Sequence, residues 1–181
     1  MDNNIQNDFD NLEVKDKNIQ YEAYNHIMKE IDHKVEWAYE VWDELVKGLR
    51  SSDNHKRSRC AQFLAGLAKS DPDKRIMSDF PALWQVTKDE KFVTARHALQ
   101  SIWKVGLAGD EQQEMVIQHV SDRFKNCQDE KNHTLIRFDI IQGLRNLYDA
   151  TEKEEIKQVA HELIQIEQDP KYQKKYAKVW K

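Results

Sequence analysis

Glycine and proline are scarce, five and three among 181 residues. A β-sandwich or a nucleotide-binding α/β domain needs many tight turns and Gly-rich loops, so neither fits. The two cysteines, Cys60 and Cys127, stand too far apart for a Cys-x-x-Cys, which leaves no zinc knuckle or redox motif and makes them expected buried thiols. No stretch approaches the roughly 18 to 20 consecutive apolar residues of a membrane span. Residues 1–10 carry Asp and Asn where a secretory leader carries basic and then apolar residues, so the expected compartment is the cytoplasm. Phosphate-cradling Gly-x-x-x-x-Gly-Lys and Gly-x-Gly-x-x-Gly patterns are missing, as is the nucleophile elbow Gly-x-Ser-x-Gly. His161-Glu162-Leu163-Ile164-Gln165 has glutamine where a zinc helix needs its second imidazole. The other histidines are scattered, so no metal and no cofactor is expected.

Charge is plentiful: 33% of residues are Asp, Glu, Lys or Arg, against 39% hydrophobic. Mean hydropathy is −0.88, low for a folded chain. Five Trp, six Tyr and six Phe nevertheless supply large surfaces to bury. The net charge of −4 conceals two unlike ends. Residues 1–18 sum to −3 and read as a mobile acidic tail ahead of one domain over 19–181, whereas Lys171, Lys174, Lys175, Lys178 and Lys181 give the last eleven residues +5.

From Ile19 onward apolar residues recur with helical spacing, and the chain reads as all-α. Residues 19–31 and 35–49 form two helices or one long bent one. Helices follow over about 55–69, 75–87, 88–107, 111–125 and 132–148, with Pro81 as a kink or late start. Thr151 with Glu154 forms a capping box for a helix to about 166, and Asp169-Pro170 begins the last. That makes seven or eight helices with short joins.

These helices repeat. Arg57, Arg96 and Arg137 are 39 and 41 residues apart, and each is followed at fixed offsets by the same pattern: Cys60, Leu99, Ile140; then Leu64, Trp103, Leu144. Acidic turns at Asp53, Asp89, Asp129 and Asp169 precede them at intervals of 36, 40 and 40. A helical hairpin of about 40 residues with Asp in its inner turn and Arg early in its second helix resembles a HEAT repeat. The resemblance covers about residues 35–181. It implies an α-solenoid of the HEAT/armadillo class with about four helical hairpins and an extra N-terminal helix, with the arginines linking adjacent units.

In such an array, residues one, five, eight and twelve after each arginine face the concave groove. They are Ser58, Gln62, Ala65 and Lys69; His97, Ser101, Lys104 and Ala108; Phe138, Gln142, Arg145 and Asp149. With Arg59, Ala98 and Asp139 added, the strip carries +2 on a chain of −4. Arg59, Lys69, His97, Lys104, Phe138, Gln142 and Arg145 are therefore the candidate binding residues. The expected function is a non-enzymatic scaffold binding a protein or acidic peptide. The alternative is nucleic-acid binding related in architecture to HEAT-like DNA glycosylases, in which Trp103 and Asp139 would serve a damaged base. A pI near 6.0 speaks against avid nucleic-acid binding. Tyr172, Tyr176, Val179 and Trp180 share a helical face among the five C-terminal lysines, giving either a cap on the last unit or a basic amphipathic helix for a partner or anionic membrane.

Overall fold

A computed structural model describes all 181 residues. It holds ten α-helices and no strand: α1 Asn3–Asn11, α2 Lys17–Glu30, α3 Ala38–Gly48, α4 Asn54–Leu67, α5 Arg75–Val86, α6 Phe92–Ser101, α7 Asp110–Asn126, α8 His133–Thr151, α9 Glu154–Ile166 and α10 Pro170–Ala177. Three 3-10 segments, Ala68–Ser70, Ile102–Leu107 and Lys178–Trp180, extend α4, α6 and α10. None of the helices is long and apolar enough to cross a membrane.

Short polar side chains start several helices by accepting from otherwise unpaired first-turn amides. Asp2, Asp16, Asp53 and Asp169 do this for α1, α2, α4 and α10. Pro170 follows its cap at the first helical position, where a missing N–H costs nothing. The Thr151–Glu154 capping box does not form. Thr151 is instead the last residue of α8, its Oγ1 donating to Leu147 O at 2.8 Å, and Glu152 turns the chain in the left-handed region at φ 53. The helix expected from residue 88 begins at Phe92, because Asp89 accepts from Lys91 N at 2.9 Å and holds residues 87–91 as a turn.

Even-numbered helices follow one another in contact, α2 beside α4, α4 beside α6, α6 beside α8 and α8 beside α10. Odd-numbered helices back them: α3 lies on α4 and α5, and α7 on α8 and α9. The packing is consistent with a helical-repeat class. Its core is one cluster of 38 buried residues running from Leu12 to Tyr176. Every residue of α4 from Cys60 to Leu67 is buried, between neighbours on several sides. Phe63 alone, 1% exposed, contributes about 2 to 3 kcal/mol by leaving water.

Residues 1–18 are not a tail. Ile5 and Leu12 are buried, and the Phe9 ring meets Trp37 and Phe63 edge-on at 6.0 Å each. Residues 19–50 make two helices, separated by 31–37.

Candidate functional site

Arg57, Arg96 and Arg137 each reach a carboxylate on a later segment of the chain. Arg57 meets Asp89 through Nε and Nη2 at 2.6 and 2.9 Å. Arg96 grips Asp139 in the same two-pronged way at 2.7 and 2.8 Å, and Arg137 Nη1 reaches Glu167 at 2.7 Å. Such parallel guanidinium–carboxylate pairs are directional as well as strong. The Arg57 hydrogen bond holds the Asp89 carboxyl below its ordinary value. The acidic partners do not follow the sequence spacing. Asp129 is exposed and takes no part, and Asp139, within α8 itself, receives Arg96.

The N-terminal half of the predicted strip is covered by the chain's own α2. Ser58, Gln62 and Ala65 are buried. Tyr24 OH donates to Gln62 Oε1 at 2.6 Å, and Arg59 Nη1 reaches Gln20 Oε1 at 3.5 Å. Just beyond α2, Asp32 collects two of the expected binding cations: Lys69 Nζ donates to its carbonyl at 2.9 Å and Lys104 Nζ to Oδ1 at 2.8 Å. Burial, and secondly Lys104, push the Lys69 pKa down. Arg59, Lys69 and Lys104 thus have partners within the chain. The signal for the cover by α2 lay in the consecutive small residues Ala65 and Gly66. A Cβ on Gly66 would stand 2.7 Å from Ile31 Cδ1, so the segment after α2 approaches α4 as closely as glycine allows.

The C-terminal half differs. His97 is exposed, with Nδ1 3.2 Å from Ser58 Oγ, and Gln142 Nε2 donates to Asn146 Oδ1 at 3.0 Å. Arg145 Nε pairs with Asp149 at 2.7 Å while its guanidinium lies 5.5 Å from the Trp180 ring centre. The Phe138 ring carries the Lys175 ammonium, 4.9 Å from its centre, a cation–π contact. The aromatic face of α10 turns inward: Tyr176 is fully buried, donates to Thr134 O at 2.9 Å, and meets Phe124 edge-on. Lys171, Lys174, Lys175, Lys178 and Lys181 are consequently left on the outside, all exposed, and none forms an ion pair. Lys171, Lys175 and Lys178 are spaced to share one face, and Lys175 joins that face to Phe138 of the strip. Sequence reasoning had set them apart from it, because nothing local showed that α10 lies against α8.

Asp139 and the two cysteines are withdrawn from solvent. Asp139 is 2% exposed and accepts from Arg96 and from Gln100 Nε2 at 3.1 Å. Burial pushes the Cys60 thiol up to about 11 and raises that of Cys127, so both stay protonated at neutral pH. The His161 ring stands 5.8 Å from that of Trp180.

The chain is an all-helical protein with its helices packed side by side. No protein-family model matches it, and no curated protein does. Among solved structures, it is similar to the crystal structure of an engineered protein from a structural genomics consortium. The TM-score is 0.55 and the identity 18%, over 98% of this chain and 78% of that one. At that identity the likeness concerns the fold alone.

Proposed function

We propose that this chain is a short HEAT-like α-solenoid acting as a non-catalytic binding scaffold for an acidic segment of a partner protein. The unbroken series of even-numbered helices and the arginines reaching from one unit into the next support the solenoid reading. The binding face is the lysine face of α10, with Lys171, Lys175 and Lys178, together with Phe138, which Lys175 touches, and Gln142 one turn further along α8. One observation carries this reading: five lysines stand together without a carboxylate partner on a chain whose net charge is −4. Ammonium groups without a carboxylate partner are available to an incoming anion without breaking an ion pair, and the Phe138 ring under Lys175 adds an apolar anchor. The cap formed by Tyr176 keeps the α10 backbone rigid beneath them.

The test is fluorescence anisotropy of the full chain with a labelled Glu-rich peptide containing two aromatic residues. Micromolar binding is expected, weakening about tenfold or more as salt rises from low to physiological concentration. A Lys171→Glu/Lys175→Glu/Lys178→Glu variant should lose it with its helical circular dichroism intact. Equal binding by variant and parent overturns the assignment, and an oligonucleotide displacing the peptide at far lower concentration replaces it with the nucleic-acid reading.

A further inference from the structure

We propose that a recess between the α5–α6 and α7–α8 turns binds a small apolar monocarboxylate. The site is separate from the lysine face of α10. Its volume, about 420 Å³, falls in the range of small-molecule pockets. Phe92, Ala95 and Leu99 of α6 form one wall, and Ile136 of α8 faces them. An aliphatic or aromatic body therefore fits inside.

The floor is a fixed cation. The Arg123 side chain is 5% exposed, with Nη1 donating to Thr87 O at 2.9 Å and Nη2 to Glu130 Oε2 at 2.9 Å. Trp84 flanks its guanidinium at 5.9 Å. Internal pairing then accounts for most of the charge around the recess: Arg123 with Glu130, Arg96 with Asp139, and Asp89 with Arg57. Two lining cations are left over. Lys88 and Lys131, one on each turn, are exposed and form no ion pair.

The arrangement is thus a recess with an apolar wall and two unpaired ammonium groups at its edge, which complements an apolar molecule bearing one carboxylate. Glu90, which also lines the recess and whose ion pair is a loose one with Lys91 at 4.0 Å, disfavours a second negative charge on the ligand. The recess is bounded by the two turns, which suits an enclosed molecule better than an extended peptide.

Phenylacetate and its neutral amide, phenylacetamide, are suitable probes, titrated into the isotope-labelled full chain and followed by two-dimensional NMR. Saturable shifts are expected at amides of residues 88–96 and 131–136, with a Kd in the ~0.1 to 1 mM range. Phenylacetamide should bind about fivefold weaker or worse, the loss of about 1 kcal/mol of charge interaction. Lys88→Gln/Lys131→Gln should weaken phenylacetate by a similar factor, and Ala95→Phe should abolish binding by filling the recess, each with a dispersed spectrum retained. Absence of saturable shifts at ~20 mM phenylacetate, shifts mapping elsewhere, or equal affinity for acid and amide overturns the proposal. These outcomes are independent of the peptide experiment.

Discussion

Arg57 and Asp89, 32 positions apart, face one another as a two-pronged ion pair with both side chains largely withdrawn from water, 14% and 6% exposed. Arg57 Nη1 also donates to the Ser51 carbonyl at 2.8 Å, so one guanidinium ties its own turn to that of the next unit. Removing one partner strands the other. Arg57→Ala should cost about 2 to 4 kcal/mol in denaturant titration, and Arg57→Ala/Asp89→Asn clearly less than the sum of its singles. Additive singles would mean the pair is not a coupled unit.

The same pair makes stability sensitive to acid. Because the Arg57 hydrogen bond depresses the Asp89 pKa in the folded chain, its contribution is fully present above the unfolded value, near 4, and is lost as pH falls through the folded one. The denaturation midpoint should drop as pH falls from about 5 towards 2, and Asp89→Asn, weaker at neutrality, should show a shallower decline over that window. Parallel profiles for the two proteins would remove Asp89 from the explanation.

Gly48 on α3 touches Cys60 on α4 so closely that an added Cβ would stand 2.3 Å from the sulfur. Gly48→Ala should therefore destabilise by about 1 to 3 kcal/mol despite alanine's better helix propensity. Cys60→Ala removes the obstructing atom. The double variant should be more stable than the two separate losses combined by at least about 1 kcal/mol, read from thermal or chemical melts.

Asp32 is the internal counter-ion for Lys104, and its carbonyl accepts from Lys69. Asp32→Ala frees the Lys104 ammonium, one of the basic residues of the strip read from the sequence. Affinity for the Glu-rich peptide should rise about two- to fivefold, with a steeper salt dependence. Unchanged affinity would confine the binding face to the region around α10.

The helical class was legible because it rests on spacing. Apolar residues at helical intervals and arginines about 40 apart survive in a single sequence, and the caps at Asp53 and Asp169 stand where local chemistry demands them. What could not be read depends on contacts between distant segments. Nothing near Lys69 or Lys104 announces Asp32, 37 and 72 positions away. The acidic composition of residues 1–18 concealed that Ile5, Phe9 and Leu12 suffice to anchor α1. Thr151 satisfied the capping-box pattern yet continued α8, because a pattern of two residues cannot state where the preceding helix ends. Of the candidate binding residues, Phe138 lies under Lys175, whereas Arg59, Lys69 and Lys104 have partners within the chain and Arg145 pairs with Asp149.

Each inter-unit arginine finds its carboxylate in a different place: Asp89 in a turn, Asp139 inside a helix, Glu167 in the link before α10. The three contacts are therefore not interchangeable. Cutting about forty residues from the middle of the chain would bring a guanidinium against a surface with no matching acid, leaving a stranded charge worth about 3 to 5 kcal/mol. An internal deletion therefore costs more than the packing it removes.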